Sequence, residues 1–122
     1  MFAYQLAVTA DDIAAGVTQV VRGRDLLSST PRQLYIYRLL GAAPPRYWHA
    51  PLLTAPDGRR LSKRDRDLDL GILRERFTAP ELIGCLGHAA GLLDRPEPCT
   101  PRELVPLFDW GKVPKDDIMI EV

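Results

Sequence analysis

Two apolar runs on either side of a well-marked helix constrain the fold of this chain most strongly. The run Val17–Val21 is short and β-branched, which favours a strand, and Tyr47–Thr54 predicts another. Between them, Pro31 suits the first position of a helix and Gly41 suits the position just after its end. A strand, a helix and a strand in this order favour a crossover unit with parallel strands. The sequence therefore predicts an α/β fold.

The residues before this unit predict a further strand. Between Phe2 and Val8 the side chains alternate with a period of two, which is typical of a strand, and Gly16 closes the connection to the next one. If the two strands are antiparallel neighbours, Tyr4 lies near Arg22. This pair suits an amino-acid or carboxylate ligand, because arginine binds a carboxylate through two hydrogen bonds. The alternative is a core tyrosine and a solvated arginine at a strand end.

Capping boxes are predicted at three helix starts. In each, a threonine N-cap is followed three residues later by glutamate or glutamine, so that free backbone amides are satisfied. The threonines are Thr30, Thr78 and Thr100. The second helix runs to about Leu93, and we expect its glycines to allow close helix contact: Gly84, Gly87 and Gly91. The third is expected to be short or kinked, because Pro106 lacks an amide donor.

Between Asp57 and Asp65, a glycine turn is followed by basic residues on both sides of one serine. Lysine and arginine form short, strong hydrogen bonds to phosphate oxygens. Cations positioned to stabilise the negative charge that develops on phosphate in the transition state also speed nucleotidyl transfer. The segment follows the Tyr47–Thr54 strand, at the strand end where parallel sheets bind ligands. It therefore predicts a triphosphate site, with a solvated basic loop as the alternative.

Composition excludes some classes of function. The formal net charge is zero, so any contact with nucleic acid must use local basic patches. Cys85 and Cys99 do not complete a zinc pattern with His49 and His88, so we expect no metal site and two free thiols, with one disulfide as the alternative. No apolar run reaches 18 residues and no signal peptide is recognisable. We expect a cytoplasmic protein without membrane contact.

Several segments together resemble the glutamyl-tRNA synthetases of class I. Leu61-Ser62-Lys63-Arg64 is similar to the second signature loop of that class, and Gly16–Gln33 resembles its glutamyl members closely. Three further segments fit the same group: His49–Leu52, Leu107–Trp110 and Lys112-Val113. The opening Phe2–Val8 is most similar to the truncated branch of the family, the glutamyl-Q tRNA(Asp) synthetases. The order of these segments makes the resemblance specific, and it covers nearly the whole chain.

The resemblance implies a ligase that activates glutamate with ATP and transfers it to a tRNA, in the glutamyl-Q branch to the queuosine of tRNA(Asp). It implies that Tyr4 and Arg22 contact L-glutamate and that Lys63 is catalytic, acting on ATP with its Mg²⁺ ion. The ATP-binding signature loop then comprises Arg60, Leu61, Ser62, Lys63 and Arg64. Arg60 stands where the family usually has lysine.

The resemblance also implies a division into two parts. Residues 1–66 correspond to the second half of a Rossmann-type catalytic domain, and residues 67–122 to a small all-helical stem-contact subdomain that meets tRNA. The first half of the family's catalytic domain has no counterpart in this sequence, so we expect a fragment that is inactive alone. A dimer or a complementing N-terminal half could supply what is missing.

Two other functions fit the same residues. One is a non-catalytic tRNA-binding module, for which the candidate cations are Arg64, Arg66, Arg74, Arg76, Arg95 and Arg102. The zero net charge argues against strong general affinity for RNA. The other is an inactive remnant, whose half sheet leaves an exposed edge that favours dimerisation.

Overall fold

The computed structural model describes residues 2–61 and 69–120, and the side chain of Phe2 is not described. The chain divides into two compact units, Met1–Ala50 and Pro51–Val122. The predicted domain boundary between residues 66 and 67 falls outside the described residues and stays a prediction.

The first unit contains a parallel strand pair and two helices. In chain order its elements are α1 (Phe2–Ala14), β1 (Gln19–Gly23), a 3-10 helix (Arg24–Ser29), α2 (Thr30–Leu39) and β2 (Arg46–Ala50). β1 and β2 are parallel, with Arg22 opposite His49. The predicted crossover from strand through helix to parallel strand is therefore confirmed.

The predicted strand Phe2–Val8 is wrong, because these residues form the first turns of α1. The buried side chains are Gln5 and Thr9, which are four residues apart and so lie on one face of a helix. Gly16 was predicted to close a connection between two strands. With φ 68° it follows the helix α1 instead, and the Val17 amide donates to the Asp12 carbonyl at 3.0 Å, as in a Schellman motif. The apolar alternation at the start of the chain therefore does not mark a buried sheet face.

The start of α2 differs in detail from its prediction. Ser29 occupies the N-cap position without a side-chain capping bond, so the predicted capping box of Thr30 and Gln33 is wrong. Both side chains are buried and bond to residues outside the helix. Gly41 follows the helix with φ 68°, as predicted. Tyr37, which is 2% exposed, is the main apolar anchor of α2.

The second unit combines short helices with a second parallel strand pair. Its elements are β3 (Leu53–Thr54), α3 (Leu70–Arg76), α4 (Ala79–Ala89), α5 (Pro101–Leu104), a 3-10 helix (Val105–Leu107) and β4 (Ile118–Met119). Leu53 pairs with Ile118 in parallel register. The predicted all-helical part is therefore wrong, because it includes β4. The predicted Tyr47–Thr54 strand is interrupted at Pro51 and becomes β2 and β3.

Two of the predicted capping boxes are confirmed at the starts of α4 and α5. The Glu81 carboxylate accepts 2.7 Å hydrogen bonds from the Thr78 hydroxyl and amide, which lower the pKa of Glu81 in that order of size. The Thr100 amide and then the Thr100 hydroxyl lower the pKa of Glu103 in the same way. These boxes are local, which is why the sequence predicts them.

Two glycines, one in α4 and one just after it, lie close to backbone from other parts of the second unit. A Cβ at Gly84 would collide with the backbone carbonyl of Glu97, and one at Gly91 with that of Lys112. The helix ends at Ala89, earlier than predicted, and Gly91 follows with φ 76°. None of the helices in residues 2–61 and 69–120 is both long and apolar enough to cross a membrane.

Candidate functional site

Arg22 lies at the centre of a polar cluster in the first unit. It is half-buried on β1, and its guanidinium donates hydrogen bonds to side chains from β2 and α2. Nη1 donates to Gln33 Oε1 at 2.7 Å and Nη2 to Thr30 Oγ1 at 2.6 Å. Nε donates to His49 Nε2 at 3.3 Å, and a long contact of 3.5 Å joins Nη2 to the Leu26 carbonyl. We call these five residues the Arg22 cluster.

An aromatic ring supports one face of the guanidinium. Arg22 Cζ lies 4.8 Å from the centre of the Tyr47 ring, at the distance of a cation–π contact. Tyr47 stacks in turn on His49, with 6.1 Å between ring centres and 13° between planes. Burial raises the pKa of Tyr47, so its hydroxyl stays protonated near neutral pH. The ring therefore supports Arg22 without supplying a negative charge.

His49 is also a neutral partner. Burial, and next the charge of Arg22, hold its pKa below the usual range. Because Arg22 donates to Nε2, this nitrogen carries no proton and the neutral ring is protonated at Nδ1. The Thr30 hydroxyl lies 2.9 Å from the same nitrogen.

The cluster leaves the charge of Arg22 uncompensated. Its partners are an amide, a hydroxyl, a carbonyl, a neutral imidazole and a ring face. Within residues 2–61 and 69–120, no carboxylate lies at ion-pair distance from this guanidinium. A guanidinium held by neutral acceptors can still bind an anionic ligand, and a carboxylate matches its geometry.

Two glutamine side chains connect the Arg22 cluster to α1. Gln33 Nε2 donates to Gln5 Oε1 at 2.8 Å, and Gln5 Nε2 donates to Ser29 Oγ at 3.2 Å. Gln33 and Gln5 are 4% and 8% exposed. Since buried amides are costly unless they are hydrogen-bonded, these two are well matched to their surroundings.

Tyr4 is not where the sequence predicted it. The antiparallel pairing that brought Tyr4 beside Arg22 is wrong, because β1 pairs in parallel with β2 and Tyr4 belongs to α1. Tyr4 is 56% exposed, and the residue of α1 that connects to Arg22 is Gln5, through Gln33. A glutamate-binding role for Tyr4 stays a prediction.

The basic segment begins with the predicted glycine turn. Gly58 has φ 80° and donates its amide to the Ala55 carbonyl at 2.9 Å, and the Arg59 amide bonds to Asp57 Oδ1 at 2.9 Å. The Ala55 amide donates back to the Arg59 carbonyl at 2.8 Å. These bonds make a tight hairpin directly after β3.

The signature loop is only partly described. Arg60 pairs with Thr54 across the hairpin, and Leu61 is 8% exposed and donates its amide to the Leu53 carbonyl at 3.3 Å. The three remaining loop residues lie outside the described residues: Ser62, Lys63 and Arg64. Their predicted contacts with ATP stay predictions, as does the ATP role of Arg60 and Leu61.

In residues 2–61 and 69–120, no three histidine, cysteine, aspartate or glutamate side chains are grouped so that they could hold a metal ion. Cys85 and Cys99 are free thiols, as expected.

Comparison with known proteins decides the family. Residues 1–80 match the family described as tRNA synthetases class I (E and Q), catalytic domain. The chain belongs to this family. Two curated relatives of this synthetase family are both called glutamyl-Q tRNA(Asp) synthetase. The one from Symbiobacterium thermophilum is 49% identical over 96% of this chain, and the one from Ectopseudomonas mendocina is 62% identical over 98% of it.

Solved structures of the synthetase family share the fold. A glutamate-tRNA synthetase from Elizabethkingia anophelis superposes with a TM-score of 0.77 at 26% identity, covering 98% of this chain and 28% of its own. A glutamate tRNA ligase from Elizabethkingia meningosepticum, in complex with its amino acid, gives 0.77 at 27% identity, covering 97% and 28%. The chain spans 36% and 39% of the length of the two curated relatives.

Sequence reasoning found Arg22 of this synthetase chain but missed most of its partners. Thr30 and Gln33 were interpreted as a helix cap and Gln5 as part of a strand, while His49 was placed in a strand and in a family-like segment but not beside Arg22. The available signal was position: His49 on β2 is opposite Arg22 on β1 once the strands are paired in parallel. Nothing local marks a glutamine as buried, so the amides of Gln5 and Gln33 needed the structure.

Proposed function

We propose that this chain is part of an ATP-dependent ligase that activates L-glutamate and transfers it to a tRNA. Within the family we assign it to the glutamyl-Q branch, whose acceptor is queuosine in tRNA(Asp). The observation that carries the proposal is the guanidinium of Arg22, which neutral groups hold in place and whose charge stays available for a carboxylate. The names of the curated relatives support the same assignment.

The proposed reaction begins with adenylation. A glutamate carboxylate attacks the α-phosphate of ATP, a new phosphorus–oxygen bond forms, and pyrophosphate leaves. Arg22 binds and orients the amino acid through charge-assisted hydrogen bonds. Lys63, in the signature loop, stabilises negative charge on the pyrophosphate side of the transition state. Among the described residues, no three histidine, cysteine, aspartate or glutamate side chains are grouped so that they could hold the Mg²⁺ ion that accompanies ATP.

Transfer to tRNA completes the reaction. The activated carbonyl is attacked by a hydroxyl of the acceptor nucleoside, and AMP leaves. In this proposal, residues 67–122 contact the tRNA and residues 1–66 belong to the second half of the catalytic domain. The chain spans little more than a third of its curated relatives, so the activity proposed is that of the whole ligase.

The test is binding of L-glutamate to the complete ligase of which this chain is proposed to be a part, followed by NMR of the arginine side chains. Glutamate should shift the Nε–H signal of Arg22, and Arg22→Gln should weaken binding about tenfold or more, because a hydrogen-bonded charge is lost. Arg32→Gln is the matched control, since Arg32 is an exposed arginine on α2. The proposal fails if glutamate does not bind, or if Arg22→Gln binds it as tightly as the unmodified chain.

A further inference from the structure

The Gln33 side chain is held in one orientation with respect to Arg22. Its oxygen accepts from Arg22 Nη1 at 2.7 Å, and its nitrogen donates to Gln5 Oε1 at 2.8 Å. If the amide were reversed, its NH₂ group would face the guanidinium, and two donors would be left against each other. Only one orientation therefore satisfies both neighbours.

Gln5 binds the other end of the Gln33 amide and supports the orientation that Arg22 requires. Its nitrogen donates to Ser29 Oγ at 3.2 Å, so its oxygen is turned toward Gln33. Both amides are more than nine-tenths buried, and water cannot readily replace a lost partner. The donated hydrogen bonds thus run from Arg22 through both amides to Ser29.

A neutral acceptor at position 33 also affects the charge of the cluster. A carboxylate there would orient the guanidinium equally well, because arginine and carboxylate form paired hydrogen bonds. It would, however, cancel the positive charge that a carboxylate ligand needs. Glutamine supplies the geometry of such an acceptor without the charge.

We propose that Gln33 and Gln5 are positioning residues that fix the Arg22 guanidinium for its ligand while leaving its charge free to bind a carboxylate. Gln33 holds Arg22 directly, and Gln5 acts through Gln33 by fixing the orientation of its amide. The inference rests on the proposed function, since it takes the carboxylate to be that of L-glutamate.

The decisive variant is Gln33→Glu, measured for both glutamate affinity and thermal stability. The new carboxylate pairs with Arg22, so the melting temperature should be unchanged or higher while affinity for L-glutamate falls about tenfold or more. A purely structural role predicts that affinity follows stability. Gln19→Glu is the matched control, because Gln19 is an exposed glutamine on β1, and it should change neither quantity.

A second variant tests the role of Gln5 if Gln33→Glu fails to fold. Gln5→Met removes the amide without touching Arg22, and it should weaken glutamate binding about threefold and broaden the Arg22 Nε–H signal as the Gln33 amide loses its fixed orientation. Undiminished affinity in a folded Gln33→Glu variant, or an unchanged signal and affinity in Gln5→Met, would overturn the inference. If these variants bind normally while Arg22→Gln does not, the inference fails and the proposed function stands.

Discussion

Arg22 shows how a charged side chain can be held firmly by neutral groups. Among the residues that the structure describes, each group that bonds it is an oxygen or nitrogen acceptor that carries no charge. A buried ion pair would fix the guanidinium as well but would also satisfy its charge. The difference between an amide and a carboxylate at a single position therefore separates a binding site from a structural salt bridge.

The lowered pKa of His49 predicts a pH-dependent stability. Because the folded state disfavours the charged ring, the unfolded chain takes up this proton first as the pH falls below about 6.5. The unfolded state then binds more protons than the folded state, so this histidine destabilises the fold progressively as the pH drops through that value. His49→Gln removes the titration and keeps an acceptor for Arg22. Its melting temperature should fall less than that of the unmodified chain between about pH 7 and about pH 5.

The second histidine provides the control. His88 is exposed on α4, and His88→Gln should leave the slope due to His49 in place. If the melting temperatures of His49→Gln and the unmodified chain change in parallel with pH, His49 has the same pKa in the folded and unfolded states, and the prediction is wrong.

At the level of elements, Gly84 allows the backbone at Glu97 to approach α4. Gly84→Ala should lower the free energy of unfolding, although alanine favours a helix by about 1 kcal/mol over glycine. The reason is that the new Cβ would collide with the Glu97 carbonyl, which belongs to the backbone and cannot rotate away. Such overpacking typically costs about 1–3 kcal/mol. Urea unfolding measures the change.

Gly87→Ala is the comparison within the same helix. The nearest atom to its Cβ would be a methyl carbon of Leu104 at 3.0 Å, which a side-chain rotation can move. It should therefore be less destabilising than Gly84→Ala. The reverse order would contradict the idea that backbone contact at Gly84 is what excludes a side chain.

Elements defined by local chemistry were predictable from the sequence. The capping boxes at Thr78 and Thr100, the turn at Gly58 and the helix end at Gly41 all depend on residues within a few positions of each other. The first helix was not predictable in this way, because its short apolar alternation matches a strand while its buried face is polar. The pairing of β3 with β4 joins residues more than 60 positions apart and leaves no local trace.

The same distinction between local sequence and tertiary packing applies to the candidate site. Arg22 could be identified because it follows a recognisable strand and lies in a segment that resembles a family. Its neutral partners could not, since whether a glutamine is buried depends on tertiary packing and not on its neighbours in sequence. For the same reason Tyr4 was placed by a strand pairing that does not occur.

At the level of the whole molecule, the proposed reaction uses Lys63 as well as Arg22. In the complete enzyme, Lys63→Ala should lower the turnover of glutamate-dependent pyrophosphate exchange far more than the affinity for ATP. The physical reason is that a loop cation that acts mainly in the transition state raises turnover without tightening ground-state binding. Lys115→Ala, at an exposed lysine of the second unit, is the control. Equal exchange rates for Lys63→Ala and the unmodified enzyme would contradict the role.

The tRNA contact and the dimer stay predictions at this scale. Four of the candidate arginines are described, and two of them, Arg74 and Arg76, lie in the last turn of α3. Cations in the last turn of a helix also interact with its dipole, so they need no RNA to explain their position. A salt-dependent gel shift with tRNA(Asp) would distinguish the two explanations.

The buried glutamine of α1 has a practical consequence for anyone who trims this chain. A version cut back to begin at β1 would keep every side chain that touches the arginine, and it would still lose the partner that fixes the Gln33 amide. Such a shortened protein would keep its sheet and leave the Gln33 amide without that partner. The first helix therefore belongs in any minimal version that preserves the Arg22 cluster.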